Sequence, residues 1–509
     1  MRYVMANRRA GKFGRDARRS SRAAVASALG MLTTKNVLAD QNADNPELRR
    51  IVVFEAEPGE VEAKVAQFSP DAIVEPEIKY YPVPVLFSHT FPSDFLPPHG
   101  FIDTPAPPGS RLQIAVAGHR AGQQVPLPRA SVTLYSRGPG NPPLQRMQTE
   151  ISDHQGGVVF GLANGYTPAA LVAAPADSFW TVIKRGQLIS GDTILRPELP
   201  QEGPGAWWHK TTGINTPGDL QLGNGIKVGI IDTGCGPNRA LRHISLVGAY
   251  IGGLRQDGAV ATTDAESHGS HIAGVIGARP VNSRDYAGIA PGAELYAMRV
   301  FNKGEGAIQA DIAGAIDVLS QEKGCDLLNL SLGSTERSQI LEDAIQDAFE
   351  RGTMCVCAAG NDAGPINYPA AYQNCVAVSA VGLAGWGASN SLSASRLPDR
   401  QEFYGEDNYY LANFSSFGAE LACAAPGVGI ISTVPDPSGQ TALYAVMDGS
   451  SMASPAACGT LAVILSKDSD YVRLPRDITR SQMARRLLLR NCRPIGLVSE
   501  YEGRGIPFA

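Results

Sequence analysis

Three short stretches of this 509-residue chain hold side chains suited to acyl transfer. Asp232-Thr233-Gly234 comes first, His268-Gly269-Ser270-His271-Ile272-Ala273-Gly274 follows, and Gly449-Ser450-Ser451-Met452-Ala453-Ser454-Pro455 lies downstream. A serine hydroxyl is a weak nucleophile until an adjacent base takes its proton. Histidine titrates near neutrality and can serve as base and then as acid. A carboxylate behind the imidazole orients it and stabilises its charged form. The small residues in all three stretches let backbone and a bound chain approach closely. The order Asp, His, Ser is informative, because the same trio occurs on unrelated folds in other chain orders.

The three blocks resemble those of the subtilases, the subtilisin-like serine proteases. Ala358-Ala359-Gly360-Asn361 is similar to the segment bearing that family's oxyanion asparagine, and Asn329-Leu330-Ser331-Leu332-Gly333 to the strand lining its specificity pocket. Gly288-Ile289-Ala290-Pro291, Tyr368-Pro369-Ala370 and Ala425-Pro426-Gly427 are shorter echoes, the second at a family position with a cis peptide bond. The resemblance keeps its order from about Gly225 to the C-terminus. Five blocks in series are specific where any one alone is not.

The resemblance implies a serine endopeptidase. Ser451 is then the nucleophile, His268 the base and acid, and Asp232 the residue that orients His268. The Asn361 side chain and the Ser451 N–H are the oxyanion donors. Ser450 stands where the family usually has threonine, and His271 reads as structural. Plainer readings are a solvated strand-end aspartate at Asp232 and a turn asparagine at Asn361. Substrate is expected to add as a strand. Its edges would be Ser331, Leu332 and Gly333 on one side and Gly304-Glu305-Gly306 on the other. Ala358, Ala359 and Gly360 would form the far wall of the first specificity pocket. Small residues there leave room for a large apolar or aromatic side chain, while Asp362 and Glu305 would favour a basic one. The alternative from a different class is a catalytically silent binding scaffold on the same fold. Retention of Asp232, His268, Asn361 and Ser451 argues against it.

The elements around these residues are those of an α/β chain with a doubly wound, mostly parallel sheet, in which sites form at the C-terminal ends of strands. Lys227–Ile231 is a continuous apolar run, as a buried parallel strand requires. The spacing predicts helices over 307–320 and 338–351 and strands over 326–332 and 354–358. Asp232, Ser331 and Asn361 each follow such a strand. Pro455 is expected in the first turn of the helix after Ser451, where a missing N–H is tolerated.

Residues 1–82 parse as strand, helix, strand, strand, helix, strand, the ferredoxin-like split pattern. The pattern is similar to the inhibitory prodomains of subtilases, whose tail occupies the active site; here the tail is Glu77-Ile78-Lys79-Tyr80-Tyr81. An unrelated small α+β domain is the other reading. Residues 83–108 form a proline-rich linker. Short strands and an Asp153-His154-Gln155-Gly156-Gly157 turn signal then predict a small β-sandwich over 109–190, which resembles the carboxypeptidase-regulatory-like modules. Its reading is a spacer or a site for a protein partner. The catalytic part spans 200–509. Cleavage after Tyr81 would therefore not release a bare protease: the sandwich stays attached unless the chain is also cut near 200–205.

A net charge of −5 argues against a nucleic-acid binder, and no apolar run is long enough to span a bilayer. The expected partners are a polypeptide substrate and the chain's own prodomain. Arg8 to Arg22 followed by the alanine-rich 23–32 could pass for a signal peptide, but the apolar stretch is weak and no good cleavage site follows, so an amphipathic helix is expected. All eight cysteines lie in the protease-like part without a disulfide-like pattern. A cytoplasmic location follows, with secretion as the alternative. Cys235, beside Asp232, reads either as a target for thiol reagents or as an inert buried thiol. No cofactor and no metal site are expected. Pro237-Asn238-Arg239-Ala240-Leu241 replaces the usual family stretch after the aspartate, which puts structural calcium in doubt. Residues 382–411 look like an insertion, read as a flexible surface loop or a partner contact.

Overall fold

The computed structural model describes all residues except 9–14, 46, 83–107, 121, 141–144, 175–177, 201–202, 204, 265, 437 and 439–442. The expected proline-rich linker at 83–108 thus lies almost wholly outside the described residues.

The first unit runs β1 (Arg2–Asn7), α1 (Arg15–Met31), β2 (Lys35–Gln41), β3 (Ile51–Ala56), α2 (Pro58–Lys64) and β4 (Ala72–Pro76). Its strands pair antiparallel in the order β2-β3-β1-β4. Side chains alternate across a strand, and both faces of this sheet are used. Tyr3, Met5, Val52 and Phe54 pack on Val25 and Ala28 of α1, on Leu32 just after it and on Val61 of α2. Val4, Ala6, Ile51 and Val53 belong to a different core, shared with Ile312, Ile316 and Ile345 of the large C-terminal unit. A short strand, β5 (Lys79–Pro82), follows.

Among the described residues, the middle unit holds two four-stranded sheets. One contains β6 (Pro108–Arg120), β7 (Gln123–Pro126), β10 (Gly157–Ala163) and β13 (Asp192–Arg196); the other contains β8 (Ser131–Arg137), β9 (Gln145–Ile151), β11 (Thr167–Ala174) and β12 (Val182–Arg185). Leu112, Ile114, Phe160 and Ile194 of the first share a core with Val132, Leu134 and Leu171 of the second. The unit runs past the expected boundary at 190, because β13 pairs parallel with β6. Strands β7 and β9 carry no apolar alternation (Gln-Gln-Val-Pro and Gln-Arg-Met-Gln-Thr-Glu-Ile) and are held by ladder bonds to their neighbours.

In the C-terminal unit, nine strands form one sheet among the described residues. Its centre is parallel: β15 (Ser245–Ile251), β17 (Glu294–Arg299), β14 (Lys227–Asp232), β19 (Leu327–Leu330), β21 (Met354–Ala358), β22 (Cys375–Leu383) and β24 (Leu421–Pro426). The edge strands β16 (Leu254–Asp257) and β23 (Tyr409–Leu411) are antiparallel. Ladder pairs β18 (Ala307–Ile308) and β20 (Leu332–Gly333) lie outside this sheet. The helices that matter for the site are α4 (His268–Gly277), α5 (Gln309–Asp317), α6 (Gln339–Glu350, capped by Ser338) and α7 (Ser450–Lys467). Helix α7 is apolar all round and fully buried over Ser450–Leu465, as a helix through the middle of a core must be. The Tyr368–Pro369 bond is cis. Residues 382–411 are not a free loop: Leu392, Ser393, Arg396 and Tyr410 are buried and β23 joins the sheet. Among the described residues, no helix is long and apolar enough to cross a membrane.

The first unit is fastened to the large one by polar groups at the rim of its sheet. Arg49, fully buried, lies between Asp317 (3.7 Å) and Asp347, and its Nη1 donates to the Asn7 carbonyl (2.8 Å). Glu75 accepts from the Ser338 hydroxyl (2.7 Å) and the Gln339 N–H at the N-terminus of α6, where a carboxylate meets unpaired N–H groups. Removing one member of a buried ion cluster leaves the others uncompensated, at about 3–5 kcal/mol. Arg49→Met should therefore destabilise the full chain by about that amount in a denaturant titration, whereas Arg2→Met, at the solvent-exposed end of β1, should change it by less than about 1 kcal/mol.

Candidate active site

Strand β14 ends at Asp232 because its apolar run ends there, and the chain leaves the sheet edge at Gly234 with φ 114°. His268 opens α4, after a left-handed turn at Ser267 (φ 70°). The carboxylate and the ring meet: His268 Nδ1 donates to Asp232 Oδ1 at 2.7 Å, and the Thr233 N–H donates to the same oxygen at 2.7 Å. Both side chains are buried, with Asp232 at 0% and His268 at 3% exposure. The approach depends on Gly269, since a Cβ there would lie 2.1 Å from the Gly234 carbonyl oxygen. Burial alone opposes charge on the imidazole. The Asp232 carboxylate outweighs it, with Asp264 and Glu266 adding in the same sense, and the pKa of His268 lies above its ordinary 6.5.

Asp264 is a residue the sequence reading missed. One of its oxygens accepts from the Thr233 hydroxyl (2.8 Å) and the Ser267 N–H (2.9 Å), and the other from the Ser270 N–H (2.8 Å) and hydroxyl. Thr233 in turn accepts from the Gly269 N–H (2.8 Å). A single carboxylate thus ties the Asp232 turn to the start of α4. Its signal was an aspartate just ahead of a helix start, a common place for a capping group.

His271 sits one turn on from His268, and its Nε2–H donates to the Ile430 and Ala445 carbonyls, both 3.1 Å away. Burial and the neighbouring His268 push its pKa down to about 3, so it stays neutral. Cys235 is buried, and burial pushes its thiol up to about 12. Burial and the raised pKa both favour the inert buried thiol of its two readings.

Ser451 lies in the first turn of α7, which packs along α4. Its hydroxyl donates to the Ser331 carbonyl at 3.2 Å. The Ser331 hydroxyl answers by donating to the Ser451 carbonyl at 2.9 Å, and Asn329 joins this group to Ser454. Pro455 proves to lie beyond the first turn. Its missing N–H would have bonded the carbonyl four residues back, which is that of Ser451, and the Ser331 hydroxyl fills the vacancy. Among the described residues, His268 Nε2 has no hydrogen-bond partner. The fold therefore joins Asp232 to His268 and Ser451 to Ser331, and leaves the bond between hydroxyl and imidazole unmade.

Asn361 follows β21 and is 5% exposed. Its Oδ1 accepts the Ser450 N–H at 2.9 Å, which fixes the amide plane and makes Nδ2 the donor end. Gly360, at φ 119°, donates its N–H to the Ser450 hydroxyl at 3.1 Å. Ala358 and Ala359 are fully buried, and the Ala359 N–H bonds the Val378 carbonyl (3.0 Å). Asp362 accepts from Asn367 (2.7 Å) and Glu305 from Asn302 (3.1 Å).

Strand β5 lies between β18 and β20, antiparallel to both. Tyr80 faces Ala307, Lys79 faces Ile308, Tyr81 faces Gly333 and Pro82 faces Leu332. Leu332 and Gly333 thus form one edge of the groove that holds β5. The opposite edge is Ala307–Ile308, slightly downstream of the expected Gly304-Glu305-Gly306. Gly304 turns away, at φ 73°, with its N–H on Glu266. Gly306 remains at the site, where a Cβ would lie 2.9 Å from the Tyr81 ring. Tyr80 is fully buried among Ile308, Leu332 and Tyr372.

The sequence profile of the subtilase family, the S8 peptidases, matches residues 223–505. Subtilisin DY of Bacillus licheniformis is 36% identical over 251 residues, covering 48% of this chain and 78% of that protein. Subtilisin Savinase of Lederbergia lenta is 35% identical over 250 residues, 49% of this chain and 79% of that protein. The minor extracellular protease Epr of Bacillus subtilis (strain 168) is 36% identical over 253 residues, 48% of this chain and 33% of that protein. All three matches fall in about half of the chain, and with the profile they show that it belongs to the subtilase family and is a serine-type endopeptidase.

Proposed function

We propose that this endopeptidase is made as a self-inhibited precursor and cuts polypeptides through Asp232, His268 and Ser451, with Asn361 and the Ser451 N–H as oxyanion donors. What carries the reading is the placement of Lys79–Pro82. An extended segment fills the groove between two strand edges, and one of those edges leads directly into Ser331, the partner of Ser451. An extended substrate would make the same ladder bonds in that groove. Residues 1–82 then act as the inhibitor: their four-stranded order matches a ferredoxin-like unit, and the sheet face is docked on α5 and α6.

In the reaction, the Ser451 hydroxyl turns from the Ser331 carbonyl and passes its proton to His268 Nε2 as Oγ attacks the substrate carbonyl. Asp232 stabilises the resulting imidazolium without taking its proton. Charge on the carbonyl oxygen is met by the Asn361 amide and the Ser451 N–H, helped by the N-terminus of α7. His268 then protonates the leaving amine, and a water molecule repeats the sequence on the acyl-enzyme. No cofactor enters these steps. Cleavage on the N-terminal side of the middle unit would leave that unit attached to the protease.

The second reading, a catalytically silent scaffold, is favoured by one observation, the unmade bond between Ser451 and His268. A fluorophosphonate probe separates the two. Labelling of Ser451 in the purified chain and in its self-cleaved products supports the protease. Absence of labelling in both, with no self-cleavage by mass spectrometry, supports the scaffold. Self-cleavage should vanish in Ser451→Ala. In subtilisin itself, loss of the oxyanion side chain costs about 10²–10³-fold in kcat, and Asn361→Ala should cost the same.

The pH profile gives a separate check. The base must be neutral, so activity rises with pH as His268 loses its proton, and the raised pKa places this limb above 6.5. Asp264→Asn removes a charge that favours the imidazolium and should move the limb of kcat/KM to lower pH. A limb that stays in place, or moves up, would contradict the assignment of His268 as the base.

A further inference from the structure

The connection between β11 and β12 of the middle unit carries residues that belong to two cores, that of its own unit and that of the C-terminal unit. Phe179 and Val182 pack inside the middle unit, while Trp180 between them packs in the large core. Residues 386–396, the first half of the segment that resembled an insertion, run alongside. The Leu392 N–H donates to the Thr181 carbonyl (2.7 Å), the Ile183 N–H donates to the Asn390 carbonyl (3.2 Å), and Val182 bridges Ser391. Trp180 meets Trp386 edge-on with centroids 6.0 Å apart, and the Trp386 indole donates to the Gly429 carbonyl (2.9 Å).

The other side of the same segment reaches the turn that carries Ser451. The Ser393 hydroxyl and the Gly429 N–H both donate to Asp448 Oδ1 at 2.7 Å, and Arg396 Nε donates to Asp448 Oδ2 at 2.9 Å. Arg396 is 0% and Asp448 6% exposed. A buried carboxylate held at both oxygens by fixed donors cannot drift without leaving a charge unpaired. Asp448 is followed directly by Gly449 (φ 152°), Ser450 and Ser451, so its position sets where the helix begins.

We propose that the middle unit is a working part of the protease and not a spacer: docked on residues 386–396, it sets, through Arg396 and Asp448, the placement of the turn that carries Ser451. Arg396 and Asp448 are positioning residues, since both act through that turn. The proposal rests on Ser451 being the nucleophile. Two consequences follow. Loosening this path costs turnover and not substrate affinity, because a reacting group misplaced by about 1 Å loses about 10²-fold with binding intact. The active enzyme also keeps the middle unit after residues 1–82 have left.

The test uses the full chain, allowed to process itself, with competent sites counted by a fluorophosphonate and turnover measured per labelled site. Asp448→Asn and Arg396→Met should each lower kcat by about 10- to 100-fold, with KM within about twofold of the parent. The double variant, which removes both charges, should recover part of the loss, as neutral replacement of a buried pair is tolerated better than a broken one. Trp180→Ala, on the far side of the segment, should shift kcat in the same direction. Mass spectrometry of the labelled parent should find residues 108–196 still present. If the buried variants fail to fold, Trp180→Ala and the labelled mass carry the test. The inference is overturned by unchanged kcat per labelled site in the folded variants, even with a lowered melting temperature. A fully active labelled species that begins after residue 196 overturns it too. No labelling of Ser451 in the parent overturns the nucleophile assignment, and this inference with it.

Discussion

Two strand edges, Ala307–Ile308 and Leu332–Gly333, face each other across a gap one strand wide. Their backbone N–H and C=O groups need partners, and only an extended segment can pair with both edges at once. In this chain Lys79–Pro82 does so. The other contacts of the first unit follow from that placement. Tyr80 is buried beside Leu332 and Tyr372, Gln309 clasps Ile78 (2.9 Å) and Pro76 (2.7 Å), and Glu75 closes the N-terminus of α6. The second face of the small sheet is apolar because in the full chain it packs on the large unit.

Charge burial organises the other side of the groove. Asp232 and His268 are both removed from solvent and matched to each other at 2.7 Å. A carboxylate in that position is costly unless its partner is fixed. The fixing is done by Asp264, which holds the Asp232 turn and the first residues of α4 through hydroxyl and N–H donors. The same logic recurs at Asp448, where a buried carboxylate is satisfied by Ser393, Gly429 and Arg396. The turn at Asp232 and the turn before Ser451 are thus each pinned by a further acid.

The order of units along the chain also acquires a physical meaning. The middle unit sits between the first unit and the protease in sequence, yet in space it is stitched to the protease. Phe179, Trp180 and Val182 contribute to two cores within a few residues, and the Ser178 N–H also reaches the Tyr444 carbonyl (2.9 Å). Loss of the first unit would leave these contacts untouched.

The α/β class, the strands ending at Asp232, near Ser331 and before Asn361, the helix over 339–350 and the start of a helix at Ser451 were legible in the sequence. They rest on local patterns, namely apolar runs, helical spacing, glycine breaks and short motifs. The succession of strands and helices in the first unit was legible for the same reason. Strands β7 and β9 were not, because ladder bonds hold them and their side chains carry no period. The opposite groove edge fell at Ala307–Ile308 and not at Gly304–Gly306, because register is set by the strand that docks. Arg396 and Asp448 were invisible, since each matters only through partners distant in sequence or burial that no composition reveals, while Asp264 offered only the weak sign of an acid ahead of a helix. Residue types and their spacing determined which chemistry this chain can do; the packing of three units decided which charges are buried, which edge is filled and where the Ser451 hydroxyl points, because those are outcomes of long-range contact.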